Sequence, residues 1–543
     1  MPDVNLEAPG GKAGHGWRQW PAPRARPLAG AGSWWRRRGR RVSQPVVISV
    51  LVTAAGAIVW MITFPRVGTD LSAQLARAGW ASRYPGSAYL FSWYGGIYPA
   101  SYSLLAPYLL GLTGTRQAMA VAAVVSAGLL ALLLARHRAP RPRAAALWVA
   151  VAMCAQLIAG RAAFTLGLAA GLGCIVVADC SRPRGWIRLP AVAGLAMACA
   201  ALSPVAGLFL GVPATAFLVT GRRRDGLVIA MAAAVPLGLT ALFSDGGVQP
   251  IGVQNGVPSL LAVAGVLIFV PRRWRLVRIG AIVYGLGVLT VWALPTPVGS
   301  NVERLGLLLI GPVLAGMASG RHRLLLALGL TAAAVWQVAQ PATDLAHGNA
   351  PPYAPQTAAL VRELRVLHAD TARVEAVPQY GHWESQELAG TVPLARGWER
   401  QVDTVRDRLF YDGTLTPASF YAWLRSNAVR YVAISAASPD PAGVAEAAIV
   451  RAGQPWLVPV WHDAFWQLYQ VAGAVPLASP PATVTSTTPA DITLRMSRAG
   501  TTIVRVHWSA LLHSTGDAIV AQRGEWTSLT AKRPGSYRLS APY

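Results

Sequence analysis

The sequence predicts a polytopic α-helical membrane protein of about eleven spans, N-terminus in and C-terminus out, carrying an external C-terminal α/β module and a small β-sandwich. Three observations predict this class. Of 543 residues, 53% are hydrophobic and 13% charged, with a mean hydropathy of +0.40, whereas a soluble globular chain has about 25% charged residues. Apolar stretches recur from Pro45 to Gln340, and every second loop between them is basic. Beyond residue 340 the composition changes: charges of both signs appear and the apolar runs shorten.

Residues 1–44 are rich in Pro, Gly and Arg and end in Arg36, Arg37, Arg38, Arg40 and Arg41, which reads as a basic, disordered cytoplasmic segment. The stretch from Pro45 to Phe64 that follows is long enough to span a bilayer. It reads as an anchor rather than a cleaved signal, because the charged region before it is long and no small-residue cleavage site follows. Further spans are expected near 116–135, 144–160, 162–180, 189–203, 204–220, 226–243, 257–270, 279–294, 304–320 and 324–340, making 45–340 a transmembrane domain.

The loops give the orientation. Basic residues cluster at Arg136–Arg143, Arg182–Arg188, Arg222–Arg224, Arg272–Arg278 and Arg321–Arg323, while the alternate loops hold only Arg66, Arg77, Arg83, Arg116, Arg161 and Arg304. Basic loops stay on the cytoplasmic side, so the tail is expected outside a plasma membrane. The same loops account for much of the formal charge of +25, and no nucleic-acid partner is needed to explain it. Cys154, Cys174, Cys180 and Cys199 lie in or beside apolar runs without a CxxC, which excludes a disulfide framework and a thiolate metal site.

Acidic residues are scarce among the spans: Asp70, Asp179, Asp225, Asp245 and Glu303. Asp179 and Asp225 adjoin the basic loops and are expected to form interfacial charge pairs. Asp70 opens a long first external loop, 65–104, in which Leu71 to Trp80 has helical spacing and aromatic residues crowd. Among these, Trp93, Tyr94, Tyr98 and Tyr102 suggest a surface for a sugar or isoprenoid, although interfacial belts also collect Trp and Tyr. Arg161 lies at the junction of two spans, and Asn301, Glu303 and Arg304 begin another. A span-end arginine can simply snorkel. A polar cluster at the start of an apolar span suggests a lined cavity. Together these residues suit glycosyl transfer from a lipid phosphate: Asp70 as base on an acceptor hydroxyl, Arg161 and Arg304 on the donor phosphate.

Gly68-Thr69-Asp70-Leu71-Ser72-Ala73-Gln74, Trp93-Tyr94-Gly95-Gly96, Tyr102-Ser103, Gly299-Ser300-Asn301 and Arg396-Gly397-Trp398-Glu399-Arg400-Gln401 resemble a family of actinobacterial multi-pass membrane proteins, some described as transporters. In layout, with a carboxylate just after the first span, a long first external loop and an external tail, the chain also resembles the GT-C superfamily of polyprenyl-phosphate-dependent glycosyltransferases. The resemblance implies a polyprenyl-phosphate sugar donor, a cell-envelope glycan or lipid acceptor, and contact with membrane lipid. Many GT-C enzymes carry a paired acidic motif in the first loop, whereas Asp70 stands alone here. A divalent cation, Mg²⁺ or Mn²⁺, is the only cofactor the resemblance brings.

In the tail, 341–355 reads as a linker. Residues 356–474 read as an α/β module, with helical periodicity at 356–368, 417–426 and 442–452, strands at 373–377 and 430–435, and an aromatic hairpin at 456–471. Residues 475–543 read as a β-sandwich-like module. Trp398, Glu399 and Arg400 are expected to cap the membrane cavity and touch substrate. His382-Trp383-Glu384, followed by Arg396-Gly397-Trp398-Glu399-Arg400 and Asp403, suggests a second acid/base site, but Glu399 and Arg400 near Trp398 read more simply as an ion-paired surface. A G-x-S-x-G elbow is absent, so serine hydrolysis has no support. The competing functions are a polytopic transporter or lipid flippase, which would place ionisable groups at mid-span, and a non-catalytic scaffold binding envelope glycan.

Overall fold

The computed structural model describes residues 29–180, 185–318, 323–348 and 354–543. Most of the basic N-terminal segment therefore lies outside the described residues, but its end does not: helix α1 (Ala29–Thr63) begins well before the apolar stretch at Pro45. After α2 (Leu71–Arg83) and α3 (Ala106–Thr113) come α4 (Thr115–Arg136), α5 (Pro142–Ile158), α6 (Ala162–Ala178), α7 (Gly185–Leu202), α8 (Pro204–Phe209), α9 (Gly211–Val219), α10 (Arg223–Leu242), α11 (Val253–Phe269), α12 (Arg275–Ala293), α13 (Glu303–Met317) and α14 (Arg323–Gly348).

Each expected span overlaps helix, and among the described residues five stretches are long and apolar enough to cross a membrane: Ser43–Thr63, Thr115–Arg136, Arg223–Leu242, Arg275–Ala293 and Arg323–His347. The others are shorter. A helix of 17 residues such as α5 or α6 rises about 26 Å against a hydrocarbon core of about 30 Å. The stretch 204–220 is divided at Leu210, with Ser203 capping α8 through the Ala206 N–H at 3.3 Å. Length and apolarity thus support five spans, and the fuller count of eleven rests on the alternation of basic loops.

Small residues let these helices approach closely: Ala123, Ala127, Ala145, Ala152, Ala163, Ala196 and Ala206 are buried in one continuous cluster with Met153, Phe164 and Leu210. At one end of the bundle the basic residues serve the last turns of neighbouring helices. Arg188 and Arg222 donate to the Ala178 carbonyl at 2.8 and 2.6 Å, and Arg143 donates to Gln44 at 2.8 Å. The charge pairs expected of Asp179 and Asp225 form there: Asp225 lies 2.9 Å from Arg188 and 2.8 Å from Arg222, and Asp179 lies 3.7 Å from Arg222.

Residues 341–348, which composition assigns to a linker, continue α14 through Pro341. Of the rest of that linker, 349–353 lie outside the described residues and 354–355 begin the next helix. The following module contains α15 (Ala354–Val366), α16 (Trp383–Leu388), α17 (Arg400–Arg406), α18 (Pro417–Ser426) and α19 (Val444–Arg451) around a four-stranded sheet. Its strands are β1 (Arg373–Ala376), β2 (Val429–Ser435), β3 (Leu457–His462) and β4 (Trp466–Val471), in the order β1-β2-β4-β3. The β1–β2 pair is parallel and the others antiparallel. Thr416 caps α18 in a capping box with Ser419, as the Thr-Pro start suggests. Two further sheets follow. One is formed by β5 (Ala482–Thr488), β6 (Asp491–Met496), β11 (Gly535–Ser540) and β8 (His513–Ser514), the other by β7 (Gly500–His507), β10 (Trp526–Ala531) and β9 (Ile519–Arg523). Leu494, Val504, Leu529 and Leu539 fill a shared core.

The aromatic loop after α2 is divided between these modules. Trp93, Tyr94 and Ile97 join the core of the α/β module with Val374 and Tyr431, whereas Tyr89 and Phe91 join that of the β-sandwich. Burying such rings contributes about 1.5–3 kcal/mol each, so the loop is a rigid joint rather than a free surface.

Candidate functional site

Three helix starts meet at one place. Asp70 is the N-cap residue of α2, Arg161 that of α6, and Arg304 lies in the first turn of α13. The Asp70 side chain makes no capping hydrogen bond. Its Oδ2 instead accepts from Arg304 Nη2 at 3.1 Å and lies 3.7 Å from Arg161 Nε. The Asp70 side chain is 26% exposed and the two arginines 12% and 13%, so the carboxylate can still be reached from solvent while the cations are largely held in protein. Arg304 also lies over the Phe164 ring at 5.4 Å.

Two glycines make the approach possible. Gly68 has φ +113°, and a Cβ there would lie 2.6 Å from the Ile158 carbonyl oxygen and 2.7 Å from the Gly160 nitrogen. Gly160 has φ +73°, and its Cβ would lie 2.7 Å from the Leu71 nitrogen. The backbone before Asp70 and the backbone before Arg161 are therefore in direct contact, which only residues without a side chain allow.

One carboxylate faces two guanidinium groups and the positive ends of three helices, an arrangement that leaves net positive charge for an anion. At a separation of 4 Å and a partly buried effective dielectric, each added charge pair is worth about 4 kcal/mol before desolvation. The same arrangement suits a divalent cation poorly, because a metal on Asp70 Oδ2 would sit beside two guanidinium charges. Among the described residues, no group of three or more His, Cys, Asp or Glu gathers around a common point.

Sequence reasoning missed Asp344. It sits in the last turns of α14, 1% exposed, with Oδ1 accepting from Gln340 at 2.8 Å and Oδ2 without a partner among the described residues. Asp70 and Arg161 are among the charges that act on it. Its signal, a helical spacing of four from Gln340, was hidden by Pro341, which reads as a break but is carried inside the helix.

The remaining candidates divide. Trp93 and Tyr94 are 0% and 2% exposed, and both are held by partners within the protein. The Trp93 indole donates to the Ser385 carbonyl at 3.2 Å, and the Tyr94 hydroxyl accepts from the Glu399 N–H at 3.1 Å. Burial holds the Tyr94 phenol well above its ordinary pKa of 10, so it stays neutral. Tyr98 donates through its hydroxyl to Ser509 at 2.7 Å and through its backbone N–H to Asp245 at 2.9 Å, tying the loop to the β-sandwich. Tyr102 lies closer to the site. Its hydroxyl is bonded to Gln74, Arg77 lies over its ring at 4.2 Å, and burial raises its pKa, with the Asp70 charge adding to the rise. Glu303 accepts from Asn255 at 2.8 Å, and Asn301 belongs to the short 3₁₀ turn that leads into α13.

Glu399 and Arg400 are engaged within the protein. Glu399 forms a buried pair with Arg77 at 2.6 Å and accepts from Ser101 at 3.2 Å. Arg400 reaches both oxygens of Asp440, at 3.0 and 3.2 Å. Trp398 donates its indole N–H to the Thr69 carbonyl at 2.8 Å. Of the three, Trp398 therefore contacts the residue next to Asp70.

An apolar cavity of about 730 Å³ lies inside the helical bundle, a volume usual for a ligand site. Phe164, Leu168, Leu172, Leu210, Leu305 and Leu309 line it, so one end adjoins the residues that carry Arg304. His137, Asp179, Arg222 and Arg273 line it at the basic end of the bundle.

Fold and site together define a helical membrane protein with a charged, solvent-reachable site where its bundle meets its C-terminal modules. No family model and no curated protein matches the chain. Among solved structures, a cryo-EM structure of the arabinofuranosyltransferase AftD from Mycobacteria is similar at a TM-score of 0.40 and 14% identity. The match covers 92% of this chain and 60% of that one, so the chain spans 60% of that protein's length.

Proposed function

We propose that this protein is a membrane glycosyltransferase of GT-C type that moves a sugar from a polyprenyl-phosphate donor to a cell-envelope acceptor at the external leaflet. The observation that carries this reading is the meeting of Asp70 with Arg304 at 3.1 Å and with Arg161 at 3.7 Å, beside an apolar cavity. The alternation of basic loops supports this reading, because positive residues stay on the cytoplasmic side and the C-terminal modules then lie outside.

In this reading the donor phosphate takes the two arginines, and the polyprenyl chain enters the cavity past Phe164. Arg304 turns from the carboxylate to the phosphate, which frees Asp70 to accept the proton of the acceptor hydroxyl. The acceptor oxygen then bonds to the anomeric carbon as the bond from that carbon to the phosphate oxygen breaks. The bonding pair leaves with the phosphate, whose charge rises by one unit. Fixed guanidinium groups stabilise that added charge more than they stabilise the ground state, which is the requirement for catalysis.

One observation favours a second reading: the cavity also reaches His137, Arg222 and Arg273 at the basic end, a path that a lipid flippase would use. The test reconstitutes the protein in liposomes with labelled polyprenyl-phosphate sugar and envelope acceptor. Label appearing on the acceptor supports the transferase. Donor that changes leaflet without losing its sugar supports the flippase.

A further inference from the structure

The motifs around His382 and Trp398 belong to the α/β module, yet they grip the chain on both sides of Asp70. Before it, the Trp398 indole N–H holds the Thr69 carbonyl at 2.8 Å, and this carbonyl belongs to the peptide unit that enters Asp70. After it, the Ser72 hydroxyl donates to the Gly381 carbonyl at 2.9 Å, one residue from His382. Trp398 is itself fixed. The His382 ring stacks on it with centroids 3.5 Å apart and planes 11° apart, and the Arg400 guanidinium lies 4.8 Å from its ring centre. Arg77 reaches the Trp398 carbonyl at 3.4 Å.

His382 is 3% exposed, and its backbone is left-handed at φ +52°. Its two ring nitrogens face carboxylates, Glu384 at 3.5 Å and Asp440 at 3.4 Å, and Asp440 is clamped by Arg400. A left-handed histidine, buried between two acids, is a costly arrangement for a surface loop. Its effect is to hold one indole ring in one plane.

We propose that Trp398 is a positioning residue for Asp70, and that the stacked His382–Trp398 pair is the contact through which the α/β module sets the carboxylate against Arg304 and Arg161. The proposal rests on the transferase reading for its catalytic consequence but not for the contact itself. Loss of the indole N–H releases the Thr69–Asp70 peptide, so the carboxylate samples orientations in which it cannot meet the acceptor hydroxyl, while the arginines that hold the phosphate are untouched. The signature is therefore a fall in kcat without a matching change in the donor KM.

The test is Trp398→Phe in the full chain, which keeps an aromatic ring on His382 and removes only the donor. Two quantities are measured: steady-state transfer kinetics and hydrogen exchange of the backbone amides of 69–75. The expected result is a kcat about tenfold lower, a donor KM within about twofold, and faster exchange in 69–75 with strand β2 unchanged. Wild-type exchange and wild-type kcat in the variant would overturn the proposal. So would exchange that rises equally in β2, which marks a folding defect. If neither protein transfers sugar but exchange rises in 69–75 alone, the transferase reading fails and the positioning contact stands.

Discussion

Asp70 and Arg304 are 234 positions apart in the chain and meet at 3.1 Å, one ahead of α2 and the other in the first turn of α13. Arg304 is the only residue that hydrogen-bonds the Asp70 carboxylate among the described residues, with Arg161 a little further away at 3.7 Å. The pair holds the carboxylate in place until an anion competes for the guanidinium. Replacing Arg304 by Lys keeps the charge but removes the forked donor set that matches phosphate oxygens. We expect Arg304→Lys to lower kcat/KM for the donor about 10- to 100-fold, mainly through KM, as steady-state kinetics against donor concentration will show.

Gly68→Ala and Gly160→Ala place a Cβ within 2.7 Å of backbone across the Asp70–Arg161 contact, each at a positive φ. Each is expected to destabilise the fold by about 1–3 kcal/mol and to abolish transfer, because the two loops are forced apart. Thermal unfolding in detergent and the transfer assay give both numbers. Gly413→Ala, also at a positive φ but with open space around it, controls for strain alone.

Arg77 and Glu399 form a buried pair at 2.6 Å, with side chains 2% and 7% exposed. Removing one partner leaves the other charge buried alone, which costs about 3–5 kcal/mol. Glu399→Ala is expected to lower the unfolding temperature, and a double change with Arg77→Met to recover much of the loss. A double-mutant cycle measures the recovery.

The His382 cluster predicts a pH dependence of stability. Burial by itself would lower the pKa of His382, but the facing carboxylates of Asp440 and Glu384 outweigh it and raise the pKa above 6.5. Burial by itself would raise that of Asp440, but His382 and Arg400 outweigh it and hold the carboxyl well below its usual range. A raised histidine contributes stability that is complete below its unfolded pKa of about 6.5 and is lost as pH rises through the folded pKa. A depressed carboxyl contributes stability present above about pH 3.9 and lost as pH falls through its folded pKa. The cluster is therefore whole between about pH 4 and 6.5. Unfolding temperature is expected to fall on the alkaline side in wild type and to fall less in His382→Gln, as a pH series of thermal melts will show.

Much of this architecture was legible in the sequence because its signals are local. The apolar stretch from Pro45 marks α1, helical periodicity at 417–426 marks α18, and the strand pattern at 430–435 marks β2. The members of the charged site were legible for a different reason: an ionisable residue next to an apolar span is rare enough to be noticed singly. That Asp70, Arg161 and Arg304 meet was not legible, since it depends on the contact between Gly68 and Gly160, which no pattern in either segment reveals. The partners of the aromatic loop were not legible for a related reason. Trp93 and Tyr94 have the composition of a sugar platform, but their partners, Ser385 and Glu399, lie some three hundred residues downstream. Asp344 was hidden because proline within a helix is ordinarily a break, and a membrane helix tolerates it where neighbouring helices pack around it.

The most direct measurement compares purified wild type with Asp70→Asn, an almost isosteric change that removes the negative charge. Both are incubated with radiolabelled polyprenyl-phosphate sugar and envelope acceptor, and thermal melts verify that both are folded. Wild type is expected to transfer the sugar and the variant to lose about 10²–10⁴-fold, the range expected for removal of a general base. Undiminished transfer by a folded Asp70→Asn protein would contradict it.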